Sequence, residues 1–173
     1  MAAVLFRDRT AEVEAWLEQR RTRDQDRYDE VWEGVYIVNP APRPAHGRLV
    51  MVIGRALAGA VDAAGLELAN GTNVGASDDY RIPDVTVFDG ADETEDEVYL
   101  RRAIVVVEIR SPGEDPEAKL PFYLQHSAEV VLVDPDARSV RWLVARPDGW
   151  LAVDHSAVVD VGVDELRAAI GWT

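Results

Sequence analysis

The first clear rhythm along the chain is helical. Val13, Trp16 and Leu17 recur at the spacing of one helix face inside a charged stretch, residues 8–30, and Thr10 stands where an N-cap belongs. An amphipathic helix is therefore expected from about Thr10, with residues 1–27 forming an N-terminal helical extension. VWEGVYIVNPAP, residues 31–42, reads as a strand ending in a proline turn at Pro40–Pro44. From Ala45 to Ala64 the pattern is again helical and mostly apolar, and Gly65 is placed to end it, so a second helix is expected to pack against a sheet.

Beyond Gly65 the period shortens. LELANGTNVG predicts strands about a turn at Asn70–Gly71, and IPDVTVFDG alternates too imperfectly to say whether one face or both are buried. AIVVVEI, residues 103–109, is nearly all β-branched, as in a central strand covered on both faces. The acidic run DGADETEDEVYLRR before it reads as a solvated, mobile loop. A short helix should follow Ser111-Pro112-Gly113. Three strands are then expected, with turns at Asp134–Ala137 and Pro147-Asp148-Gly149, and VDELRAAIGW closes the chain as a helix. The order α, β, α, β, β, β, α, β, β, β, α, with no repeat and no linker, predicts a single domain over 1–173. Its fold class is α/β, an α+β mixed sheet flanked by helices.

Composition narrows the function. No apolar run approaches the length of a membrane span, and no basic segment precedes a long apolar one at the N-terminus, so a cytoplasmic protein without membrane partners is expected. With no cysteine, disulfides and thiolate chemistry are excluded. The formal charge of −14 argues against a broad nucleic-acid patch, although it leaves room for a small local site and suits divalent cations.

Three residues stand out against this background. Asp84 follows Pro83, which holds Ile82 extended, so Asp84 belongs at a strand start or a turn. Glu108 interrupts the apolar run Ile104–Ile109, and a carboxylate there must be compensated or lifted into a crevice at the strand end. A buried pair with Arg110 or Arg81 is the structural alternative. Lys119 is the sole lysine of the chain, and Asp115-Pro116 places it near the start of a helix unless Pro121 restarts that helix at Leu120. A solvent-exposed lysine is the competing reading. Two carboxylates on neighbouring strands can hold Mg²⁺ or Mn²⁺, and an ammonium beside them can orient water or stabilise charge on a phosphate. Neither G-x-S-x-G nor H-E-x-x-H is present to support another hydrolytic chemistry.

YDEVWEGVYIVNPAP with His46, YRIPDVTVF, VVVEIRSPGEDPEAKLPFY and EVVLVDPDARSVRWL occur in an order that resembles the Uma-two family, described as putative restriction endonucleases, within the PD-(D/E)xK nuclease superfamily. The resemblance runs from about Tyr28 to Leu143. It implies a restriction-endonuclease-like core and a metal-dependent endonuclease acting on DNA. Asp84 and Glu108 would then be metal ligands, joined by the Ile109 carbonyl, with Lys119 as the active-site lysine. Glu30, His46, Ser111 and Tyr123 match accessory positions. Arg110 occupies the place of the superfamily's commonest lysine, the family's lysine being displaced to the next helix. Ser127–Val131 departs from the glycine turn and aromatic found in many members. The alternative is an inactive nuclease-like fold serving as a binding or assembly module. A homodimer is a further expectation, with Trp142 and Trp150 of the late hairpin offering its surface. The arginine run at positions 20, 21, 23 and 27 is the obvious phosphate-contacting candidate, although acids lie close by.

Overall fold

The computed structural model describes residues 4–7, 9–92, 98–113 and 115–172. Its elements are β1 (Val4–Phe6), α1 (Ala11–Arg21), β2 (Glu30–Trp32), β3 (Val35–Val38), α2 (Pro44–Ala63), β4 (Glu67–Ala69), β5 (Asn73–Ala76), β6 (Asp79–Arg81) and β7 (Val85–Phe88). They continue with β8 (Tyr99–Leu100), β9 (Ala103–Ile109), α3 (Leu120–His126), β10 (Ser127–Asp134), β11 (Ser139–Arg146), β12 (Gly149–Val153) and α4 (Val163–Ile170). Short 3₁₀ turns lie at Gly90–Asp92 and Pro116–Lys119. No helix among the described residues is long and apolar enough to cross a membrane.

The strands form two mixed six-stranded sheets. The larger elements make the order β12-β11-β10-β9-β7-β4, in which only β9 and β10 run parallel. The second sheet has the order β1-β3-β2-β6-β5-β8. Alternation along β9 assigns its side chains. Val105, Val107 and Ile109 join Ile53, Leu57 and Val61 of α2 and Leu166 of α4 in one core. Val106 joins Phe122 and Tyr123 of α3 in another, toward the second sheet. Glu108 shares the parity of Val106, so it points away from α2 and toward α3.

The expected helices at Thr10, at 45–64 and at the C-terminus are present. Thr10 caps α1 by accepting from the Val13 amide, and Gly65 leaves α2 at φ +70°. Pro121 falls in the first turn of α3, where a missing N–H costs nothing, because the chain restarts its helix at Leu120 after the 3₁₀ turn.

Several expectations change. The segment read as one strand from Val31 is the β2–β3 hairpin, turned by Glu33 and Gly34, both at positive φ. That is the backbone a two-residue hairpin loop requires. The strands flanking Asn70–Gly71 do not pair, since β4 belongs to one sheet and β5 to the other. β7 is buried on both faces. The acidic loop contributes β8, and residues 93–97 of it lie outside the described set. The N-terminal segment supplies a strand as well as a helix, and α1 is held by Leu17, packed on Val31 and Tyr36, and by Arg20 paired with the buried Asp29.

Trp142 is wholly buried, which removes it from any dimer surface. Its Nε1 donates to Glu129, a buried carboxylate that also accepts from Ser156 Oγ at 2.7 Å. That pair of bonds fastens the loop before α4 to the sheet without any cation.

Gly75 lets α3 approach the second sheet. Its φ is +121°, and a Cβ there would collide with the Asp79 carbonyl and stand 2.9 Å from Phe122 Cζ. Gly34, at φ +80°, has open space instead. Gly75→Ala is expected to lower stability by roughly 3–5 kcal/mol, strain and overpacking together, against about 1 kcal/mol for Gly34→Ala. Urea unfolding of the two variants measures the difference, and equal midpoints would contradict the close packing of α3.

Candidate active site

Glu108, Lys119, Glu30 and Tyr123 meet between the two sheets. Glu108 arrives from β9, Glu30 from the first position of β2, and Lys119 and Tyr123 from the 3₁₀ turn and α3 that follow β9. Lys119 Nζ donates to Glu30 Oε1 at 2.9 Å and to Glu108 Oε1 and Oε2 at 3.1 and 3.2 Å. The Tyr123 hydroxyl donates to Glu108 Oε1. Glu30 is fixed from two further directions: the Ile82 amide donates to Oε1 at 2.7 Å, and Trp32 Nε1 donates to Oε2 at 2.8 Å.

Asp84 lies immediately before β7, where its amide continues the ladder to the Val107 carbonyl at 3.0 Å. Its carboxylate accepts from the Ile109 amide at 2.7 Å through Oδ2 and shares a 2.7 Å hydrogen bond with His46 Nε2 through Oδ1. His46 enters from the first turn of α2. Ser111 Oγ stands 3.5 Å from the other ring nitrogen, Nδ1. The Ile109 peptide thus meets the Asp84 carboxylate through its N–H.

Burial sets the electrostatics. The Glu108 carboxyl is pushed up from its ordinary value to about 7, chiefly by burial, with Asp84 and Glu30 adding and the Lys119 charge and Tyr123 bond opposing. Lys119 is pushed up too, because the attraction of Glu108 and Glu30 outweighs its own burial. One ammonium faces two carboxylates, so the lysine stays charged while burial leaves Glu108 with a raised proton affinity. Burial and Glu108 together also push the Tyr123 hydroxyl well above its usual range, keeping it a donor.

Arg110 does not serve Glu108. Its Nη1 pairs with Asp134 at 2.7 Å on the surface. Arg81 pairs with Asp79 instead, so neither arginine compensates the β9 carboxylate. Of the arginine run, Arg20 is committed to Asp29 and Arg21 to Glu18. A cleft of about 600 Å³ opens onto Glu30, Glu108, Ile109, Arg110 and Lys119. Asp84 and His46 are not in its lining and sit partly buried beside it.

Trp32 was not singled out by the sequence. The signal was present in the spacing, since Glu30 and Trp32 at i and i+2 must share a strand face. What hid it is that a β-strand places many such pairs on one face, and only the β2–β6 register brings this one against Ile82 and the cleft.

The donor chemistry suits a hard divalent cation. Asp84 and Glu108 offer carboxylate oxygens, and Asp84 stands near enough to raise the Glu108 carboxyl, an excess of negative charge that a cation would relieve. No group of three or more His, Cys, Asp or Glu side chains is gathered at metal-binding geometry among the described residues.

A search of curated proteins returned no match. Among solved structures the chain is similar to a crystal structure described as a putative nuclease belonging to DUF820 from Anabaena variabilis ATCC 29413, at a TM-score of 0.67 and 16% identity. The match covers 82% of this chain and 90% of that one, and it agrees with a restriction-endonuclease-like fold. The family model Uma2, described as "Putative restriction endonuclease", matches residues 11–166. With the family model covering every described strand but β1 and every residue of the buried cluster, this chain belongs to the Uma2 family.

Proposed function

We propose that the protein is a metal-dependent endonuclease that hydrolyses DNA phosphodiester bonds, using Mg²⁺ or Mn²⁺. The observation that carries this reading is the Lys119 ammonium held against two buried carboxylates at the edge of an open cleft. A purely structural ion pair gains little from such burial, and desolvation often exceeds the attraction.

Asp84, Glu108 and the Ile109 carbonyl would hold the cation. When bound, it supplies Lewis-acid stabilisation of the phosphate and a water of lowered pKa. The chain's own groups do the rest. Lys119, a compact charge with three donors, orients the attacking water and balances charge building on the phosphate oxygens. Glu30, locked by Ile82 and Trp32, keeps the ammonium from swinging away. Tyr123 fixes the rotamer of Glu108, and His46, with Ser111 behind it, fixes that of Asp84. Water adds to phosphorus, one ester P–O bond breaks, and the proton released from water ends on the leaving oxygen.

A second reading has one observation in its favour. Every carboxylate of the cluster already has protein partners, which is also what a nuclease-like fold kept as a binding or assembly module would show.

Nicking and cleavage assays on plasmid DNA with Mg²⁺ and Mn²⁺ separate the two. Glu108→Gln and Lys119→Ala are each expected to lose at least about a hundredfold in rate, and activity that survives both would place the chemistry elsewhere.

Cation binding has an independent readout. At about a hundredfold excess over its dissociation constant, Mn²⁺ should stabilise the protein by about 2.7 kcal/mol, a rise of roughly 5–10 °C in Tm for a chain of this size. Glu108→Gln should remove that rise. Proton and cation compete for Glu108, so the rise should shrink as pH falls below about 7. Without metal the sign reverses. A carboxyl raised from 4.5 to about 7 on folding contributes stability that is full below 4.5 and lost as pH climbs through 7. Differential scanning fluorimetry across that range tests both signs, and a Tm indifferent to Mn²⁺ at every pH would remove the metal from the proposal.

A further inference from the structure

The cleft at Glu108 and Lys119 has a second wall that hydrolysis does not use. Arg81, only 4% exposed, lies 4.5 Å from the ring centroid of Trp32 and 4.2 Å from that of Phe122. The His126 ring stacks on Phe122 at 4.2 Å. All four side chains line the cleft. Arg81 Nη1 is committed to the Val31 carbonyl, Asp79 and the Tyr80 carbonyl. Its Nε is buried with no acceptor, an unmet donor of the kind folded chains seldom keep. Trp32 is partly exposed, and its Nε1 is tied to Glu30. A hydrogen bond therefore ties the stacking surface to the carboxylate beside Lys119.

The electrostatics of the cleft do not favour a duplex. Among the described residues its lining carries five carboxylates against four Lys or Arg side chains, and three of those cations are engaged with Asp79, Asp134, Glu30 and Glu108. Duplex binding proteins commonly neutralise about 6–10 phosphates. A volume of about 600 Å³ lies within the range of small-ligand pockets and admits a nucleotide or two. With little phosphate attraction on offer, affinity must come from elsewhere. The partly exposed Trp32 ring supplies it to any base whose π-face is uncovered, which is true only of an unpaired strand.

We propose that the substrate is taken as unpaired DNA, one base stacking on Trp32 beside Arg81 while an adjoining phosphate reaches Glu108 and Lys119. This deepens the nuclease reading of the same cleft and rests on it for the phosphate. Seating the base against Trp32 presses on Glu30, so binding and the placement of Lys119 are coupled.

The test compares a labelled single-stranded oligodeoxynucleotide with its duplex by fluorescence anisotropy, in Ca²⁺, while tryptophan emission is recorded. The single strand is expected to bind at least about tenfold more tightly and to quench emission, and the quench should vanish in Trp32→Phe. Trp32→Phe keeps an aromatic face and should hold its affinity within about threefold, whereas Trp32→Leu should lose about tenfold. Equal or tighter binding of the duplex, or equal affinities for the two variants, would overturn the inference. Should Trp32→Leu fail to fold by circular dichroism, the strand comparison and the Trp32→Phe quench decide. Cleavage of single-stranded and duplex circles in Mg²⁺ and Mn²⁺ keeps the two proposals apart. A single-strand preference without cleavage of either circle upholds this inference and overturns the nuclease reading. Cleavage with a duplex preference does the reverse.

Discussion

One ammonium holds the two sheets together at the site. Lys119 bridges Glu30 of the smaller sheet and Glu108 of the larger, and all three side chains are largely withdrawn from water. Charges so placed must be partnered almost completely, because removing one member of a buried pair leaves an uncompensated ion at a cost of about 3–5 kcal/mol. The surrounding structure meets that demand. The Ile82 amide, the Trp32 indole and the Tyr123 hydroxyl supply the remaining donors. An arginine could carry the charge, but its planar fork does not offer a compact point that two converging carboxylates can share.

The elements around this bridge are arranged to deliver it. Alternation on β9 turns Glu108 toward α3, and the break before Leu120 lets the chain reverse quickly enough to bring Lys119 and Tyr123 back over the strand end. Gly75 gives Phe122 room to approach. Asp84 is bound to the Ile109 amide one residue beyond Glu108, so the two carboxylates are spaced by the ladder between β7 and β9 and not by flexible side chains. The Glu129 cluster on the helix-facing side solves a similar burial problem with hydroxyl and indole donors alone. No cation among the described residues pairs with it, which sets it apart from the site.

Much of this was legible residue by residue. Periodicity marked α1, α2 and α4, and the β-branched run marked β9 as central, since those signals depend on a chain's own repeat. The charge inside that run and the single lysine drew attention to Glu108 and Lys119 for the same reason: each violates its local background. The hairpin at Glu33-Gly34 was missed because an apolar pattern continues across it, and only positive φ at both residues reveals the reversal. Trp142 read as possible surface because an indole in a strand carries no mark of which face is covered.

What the sequence by itself determined is therefore local: helix limits set by Thr10 and Gly65, and the parity that puts Glu108 with Val106. Tertiary structure decided the partners. Whether Glu108 would meet Arg81, Arg110 or Lys119 depended on contacts between residues far apart in the chain, and the nearest arginine in sequence went to Asp134 instead. Strands β4 and β5, three residues apart, were sent to different sheets. The physical reason is the same in each case. Backbone preferences act over a few residues, whereas the compensation of a buried charge is chosen by whichever donor the packed sheets bring within reach.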